Sequence, residues 1–225
     1  MYKINIFYIF YIFIIFIIFI IYMKIFVIGF NKTGTSSLHQ LFIELGIKST
    51  HSVVPVMSII NNFDAFTDGD HFNFKEYYNK YPDSLFILNT RPISKWLISR
   101  YKHAKFHKFK ESWCWPISEE KTNKWITERE IHYQNIYDFF LDKPKQLLII
   151  NIEKEGWEIA VSRFIQKPEI IKNKIHKNKR ELENKNVIKL ITENVSKCLT
   201  QRGYNGDELL FNNSDTPLYE YTTLL

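Results

Sequence analysis

Gly29 and Gly34 bracket a short loop that joins an apolar, β-branched run (25–28) to an amphipathic stretch (36–45). Apolar residues throughout 25–28 predict a strand buried on both faces of a sheet. Leu38, Leu41, Phe42 and Leu45 fall on one helical face, and Gly46 stops that helix. A buried strand turning through glycines into a helix leaves free backbone N–H groups at the helix start. Together with the helix dipole they make a ready site for an anion.

The rest of the chain repeats the alternation. Residues 47–52 suit a short second strand, followed by a helical or irregular segment through Phe63. Residues 64–70 (DAFTDGD) read as a loop rich in carboxylates, and 74–81 as a helix ending at Pro82. A strand over 84–89 precedes a helix over 92–102 with proline early in its first turn. A long polar helix over 118–141 ends before Pro144, a strand follows over 146–152, and helices follow over 155–164 and 182–199. Strands separated by crossovers this long predict an α/β fold: a three-layer sandwich with a central, mainly parallel sheet flanked by helices.

Composition narrows the function. With 45% hydrophobic and 24% charged residues, 225 positions can bury one sizeable core. The net charge of +6 suits an acidic ligand, but the densest basic run, 172–180, lacks interleaved aromatics, so nucleic acid binding has no support beyond charge. Cys114 and Cys198 stand in no metal-ligand spacing, which argues against a zinc site or a disulfide scaffold.

The loop itself departs from the common nucleotide-hydrolase pattern G-x-x-x-x-G-K-[ST]. Thr35 stands where the lysine should be, and Lys32 lies inside the loop instead. In the form N-K-T-G-T-S-S-L, the loop resembles that of the sulfotransferases that use 3′-phosphoadenosine 5′-phosphosulfate (PAPS), usually P-K-x-G-T-[TS]. Asn31 replaces the common proline. A second motif agrees: a strand runs into Thr90-Arg91-Pro92, and Ser99 follows Arg91 at the family's spacing. The resemblance extends from Met23 to about Gln166, through the Asp64 to Asp68 segment and Glu155-Gly156-Trp157. Residues 202–207 (RGYNGD) are similar to the family's C-terminal R-x-G-x-x-G-D loop, and equally suit a plain helix stop.

The resemblance implies transfer of a sulfuryl group from PAPS to a hydroxyl or amine, with no metal required. Lys32 would stabilise charge on the leaving phosphate. Asn31, Lys32, Thr33, Gly34, Thr35, Ser36 and Ser37 would cradle the 5′-phosphate, and Arg91 and Ser99 would hold the 3′-phosphate. A guanidinium fork with a hydroxyl suits a phosphate dianion. For the general base, Asp68 comes first, from the loop resembling the family's acceptor side. His51 follows, because imidazole titrates near ~6.5, then Asp64 and His71. Trp96 is expected to pack inward, while Trp113 to Trp115 suit a hydrophobic plug or an acceptor lid. The acceptor stays open among carbohydrate, small alcohol, phenol and peptide tyrosine.

Two rival functions share the strand, loop and helix: a nucleotide or nucleoside kinase, and a non-catalytic nucleotide-binding relative. Residues 1–22 form a separate hydrophobic segment, before a domain over 23–225. Residues 4–22 are almost wholly Ile, Phe and Tyr, and as a helix would span about 28 Å, enough for a membrane anchor. Either these residues attach the protein to a membrane, or translation starts at Met23 and the protein is soluble and cytoplasmic.

Overall fold

The computed structural model describes residues 23–51, 55, 57–68, 73–106, 116–167 and 185–204. Within them, β1 is Ile25–Val27, β2 Ser49–His51, β3 Ala65–Thr67, β4 Leu85–Thr90 and β5 Leu147–Asn151. The helices are α1 Thr35–Glu44, α2 Met57–Ile60, α3 Phe74–Lys80, α4 Ile93–Phe106, α5 Glu119–Phe140, α6 Trp157–Phe164 and α7 Lys185–Gln201. The strands form one parallel sheet in the order β2-β3-β1-β4-β5.

The alternation of β1 builds the three layers. Phe26 and Ile28 face a large core with residues from α3, α4, α5 and α7. Ile25 and Val27 face a smaller one with Leu38, Leu41 and Phe42 of α1 and Val161 of α6. Phe26 sits between aromatic neighbours, its ring 4.7 Å from Tyr77, 5.4 Å from Phe86 and 5.6 Å from Phe66. A strand buried on both faces has no polar side, which is why its sequence reads as a continuous apolar run.

The expected α/β sandwich is therefore present, with one correction. The segment 64–70 is not a loop throughout: Ala65, Phe66 and Thr67 form β3 between β1 and β2, pairing Ile25 with Ala65 and Thr50 with Phe66. All three are buried. Three residues between Asp64 and Asp68 are too few to show a period, so the turn-forming aspartates dominate the sequence signal.

No helix among the described residues is long and apolar enough to cross a membrane. Residues 1–22, on which the anchor reading rests, lie outside the described residues, as do Trp113 to Trp115 and 172–180.

The chain leaves β1 toward β2 on one side, whereas it leaves the adjacent β4 toward β5 on the other, so the connections part between the carboxyl ends of β1 and β4. Open parallel sheets bind ligands at such a switch point. His132 of α5 reaches it from behind: its Nε2 donates to the Ile28 carbonyl at 2.7 Å, with the ring edge-on to Phe30 and Phe74.

Burial pushes the His132 pKa down to about 4, against a smaller opposing effect of the Ile28 bond. The folded protein thus prefers neutral His132, while the unfolded chain takes up a proton near pH 6.5. The stability this contributes is complete above that pH and is lost as pH falls toward 4, by about 3 kcal/mol in all. His132→Gln keeps a donor for Ile28 but does not titrate. Urea unfolding of both proteins is expected to show their stability difference shifting in the variant's favour by about that amount between pH 7 and 4. A constant difference would mean that His132 titrates alike in the folded and unfolded chain.

Candidate functional site

Each strand delivers one functional segment at its carboxyl end. The loop 29–34 follows β1, His51 ends β2, Asp68 follows β3, Arg91 follows β4 and Glu153 lies just beyond β5.

The loop is held by Asn89, a fully buried amide near the end of β4. Its Oδ1 accepts from Gly29 N at 3.0 Å, and its Nδ2 donates to the Thr33 carbonyl at 3.0 Å and to Thr33 Oγ1 at 2.7 Å. The Thr33 hydroxyl in turn donates to the Phe30 carbonyl. Gly29 is required here because a Cβ would stand 2.2 Å from the Asn89 carbonyl oxygen. Thr33 is fully buried, so its side chain shapes the loop from within. Sequence reasoning passed over Asn89; a lone amide at the end of an apolar run was the available signal.

With its ends clamped, the loop takes an uncommon path. Lys32 has φ 67° and Gly34 has φ 92°. A non-glycine residue in the left-handed region costs about 1 kcal/mol or more and persists where its surroundings impose it. A Cβ on Gly34 would meet Ile152 Cδ1 at 2.5 Å, so a side chain is excluded there by both backbone and space. Gly34 caps α1 without a side-chain bond, and no acidic residue stands in the helix's first turn. The amino end of α1 therefore presents N–H groups and a positive dipole end to an incoming anion. Thr35 and Ser36 line this end; Ser37 is mostly buried and its N–H bonds the Gly34 carbonyl.

Asn31 and Arg91 join this loop to the next strand. The Trp96 indole donates to the Asn31 carbonyl at 3.1 Å, and Arg91 Nη1 donates to the Lys32 carbonyl at 3.1 Å. Trp96 is fully buried, as expected. The main chain of Arg91 is itself held, since Arg129 Nη2 donates to its carbonyl at 3.2 Å. Arg91 Nη2 pairs with Glu153, whose other oxygen accepts from Lys95 Nζ at 2.6 Å. Despite burial, which opposes ionisation, the bonds from Lys95 and Arg91 hold the Glu153 carboxyl below its usual range. Lys95 and Ser99, four residues apart, lie near one face at the start of α4, and Arg91 stands just before the helix. Ser99 is half-buried there.

On the other side, His51 Nε2 is 2.9 Å from Ser36 Oγ, 3.4 Å from Thr35 Oγ1 and 3.8 Å from Asp68 Oδ2. The His39 ring lies 5.7 Å away and bonds Ser49 through Nδ1 at 2.9 Å. Burial lowers the His51 pKa; Asp68 opposes this and Lys32 adds to it. His51 is therefore neutral at pH 7 and able to accept a proton.

Asp68 and His51 are thus brought together at the loop. Asp64 is not: it precedes β3, at the opposite end of the sheet, where it is 3.5 Å from Lys24 Nζ. His71 lies outside the described residues. Of the 202–207 segment, residues 202–204 are described and form a helix stop. Gly203 has φ 76°, and Tyr204 N bonds the Leu199 carbonyl. The Arg202 guanidinium is engaged by Glu130, Asn123 and Thr127 of α5.

A parallel sheet with a glycine loop and helix amino terminus at its switch point defines an α/β domain of the P-loop class. Residues 55–140 match the family model of the sulfotransferase domain. That stretch contains Asp68, Arg91 and Ser99 but neither the loop nor His51, so it supports the resemblance independently of the glycines. The match covers less than half of the chain; it makes that stretch similar to a sulfotransferase domain and supports a transferase activity. No curated protein matches the chain.

Asn89→Ala would strand Gly29 N–H and the Thr33 carbonyl in a buried setting. Unmet buried groups cost about 1–3 kcal/mol each. Partial relaxation leaves an expected loss of about 3 kcal/mol in urea unfolding, together with loss of anion binding. Unchanged stability would show that the loop holds its shape without the amide.

Proposed function

We propose that the protein transfers a sulfuryl group from PAPS to a hydroxyl or amine acceptor. The observation that carries this is Arg91: one guanidinium hydrogen-bonds the carbonyl of the phosphate loop while standing at the end of β4, one turn from Lys95 and two from Ser99. A nucleotide whose phosphates all lie in the loop has no use for a second cationic seat on its ribose side. Such a seat against the loop's flank suits a nucleotide that carries another phosphate on its ribose.

The donor set fits such a nucleotide. Arg91 Nε is buried and makes no hydrogen bond among the described residues, so an oriented N–H is available beside the loop. When bound, the donor supplies an activated sulfur whose bond to the 5′-phosphate oxygen breaks as the acceptor oxygen or nitrogen attacks. The remaining work falls to the chain. The N–H groups at the start of α1, with Thr35 and Ser36, hold the 5′-phosphate, and Lys32 stabilises charge gathering on its leaving oxygen. Arg91 and Ser99 hold the 3′-phosphate. His51 receives the acceptor's proton at Nε2, and Asp68 stabilises the imidazolium that results.

Lys32 in place of a lysine following Gly34 weighs against the kinase alternative, because its ammonium approaches from within the loop. Among acceptors, carbohydrate, small alcohol, phenol and peptide tyrosine remain equivalent on these residues.

Calorimetry with the full chain tests the donor. Adenosine 3′,5′-bisphosphate is expected to bind at least tenfold more tightly than ATP with Mg²⁺, and Arg91→Ala to lose that preference. Tighter binding of ATP with Mg²⁺ would replace this reading with the kinase. Once an acceptor is in hand, His51→Asn should abolish turnover yet leave bisphosphate affinity unchanged. Since the His51 pKa is lowered, the acid-side loss of wild-type activity should set in at a pH below that of an ordinary imidazole, as the base becomes protonated.

A further inference from the structure

We propose that Arg91, Lys95 and Glu153 form an exchangeable anion seat, in which the Glu153 carboxylate holds the place of the donor's 3′-phosphate and Lys95 is a further ligand for that phosphate. The proposal rests on the donor reading above and assigns its ribose-phosphate side.

The geometry of the pair carries it. Glu153 bridges two cations, one carboxylate oxygen on Arg91 Nη2 and the other on Lys95 Nζ at 2.6 Å. A phosphate offers the same two-oxygen bridge and a third oxygen besides. Arg91 Nη1 is committed to the Lys32 carbonyl, so its remaining edge is the Nη2 and Nε pair. The carboxylate occupies only Nη2 and leaves the buried Nε without a hydrogen bond among the described residues. A guanidinium edge that is half used, beside a bridging anion, is a site shaped for a larger and more highly charged acceptor group.

Energetics permit the exchange. The Lys95 side chain is 54% exposed and that of Glu153 is 25% exposed. The pair with Lys95, so near solvent, is a weak one. A phosphate dianion brings twice the charge and can satisfy Nε as well, so it competes on favourable terms. Glu153 belongs to the turn between β5 and α6, its own N–H held by the Asn151 side chain at 2.9 Å, so the backbone can stay in place while the side chain swings away. In the unliganded protein it keeps two cations from repelling each other across the seat. In the complex it is a like charge beside the phosphate, which it opposes.

This opposition sets the sign of the test. Adenosine 3′,5′-bisphosphate and adenosine 5′-monophosphate, which lacks the second phosphate, are titrated into the full chain by calorimetry. Glu153→Gln is expected to bind the bisphosphate about three- to tenfold more tightly, with monophosphate affinity unchanged. Lys95→Met is expected to bind the bisphosphate more weakly by a similar factor, again without effect on the monophosphate. Equal or weaker bisphosphate binding by Glu153→Gln would overturn the exchange and make Glu153 a fixed support of Arg91. An equal gain for both nucleotides would overturn it too, as a general field effect. If wild type fails to prefer the bisphosphate over the monophosphate, the donor reading itself has failed and the seat falls with it. If wild type shows the preference and only the Glu153 result is absent, the donor reading stands and the exchange alone is wrong.

Discussion

The side-chain amide of Asn89 is the interaction on which the site depends. It reads both ends of the loop after β1, accepting from Gly29 and donating to Thr33, with one oxygen and one nitrogen each in the orientation their partners demand. Fixed at these points, the intervening chain has little freedom, and the left-handed turns at Lys32 and Gly34 follow. Those turns set where the Lys32 ammonium starts and how α1 is entered. A carboxamide suits the place because it is neutral: a carboxylate of the same shape would face the Thr33 carbonyl with no hydrogen to offer.

Behind the loop the protein gathers positive charge in an unusual setting. The Arg100 guanidinium lies 4.5 Å from the Trp125 ring and 4.9 Å from Trp96, and Arg129 lies 4.8 Å from Tyr133 and 5.6 Å from Trp96. Both arginines are at least nine-tenths buried. Cation–π contacts of this kind contribute about 2 kcal/mol when desolvated. Glu153 is the counterweight on the open side.

Much of this was legible in the chain itself, for reasons that can be named. Gly29, Lys32 and Gly34 declare themselves because backbone conformations open to few residues leave a compositional trace. Arg91 and Ser99 are legible through the resemblance, which puts an arginine at a strand end and a serine eight residues later. The second base candidate, His51, could be placed beside the loop because parallel strands end on the same side. β3 escaped notice because three residues carry no period, and with it the true place of Asp64, which belongs to the far end of the sheet. Lys95 and Glu153 escaped for another reason: they lie fifty-eight residues apart, and only the pairing of β4 with β5 brings them together.

The bond from Arg91 to the Lys32 carbonyl has a metric consequence. It spans the border between the loop and the cationic seat, so these two regions cannot drift apart independently, and Arg129 pins the Arg91 backbone from the far side. On the proposed donor reading, this rigid interval works as a gauge: ligands would be sorted by the separation of their charges as well as by how many they carry, and a flexible polyphosphate with the same total charge would have to fold itself to the measure before engaging both regions.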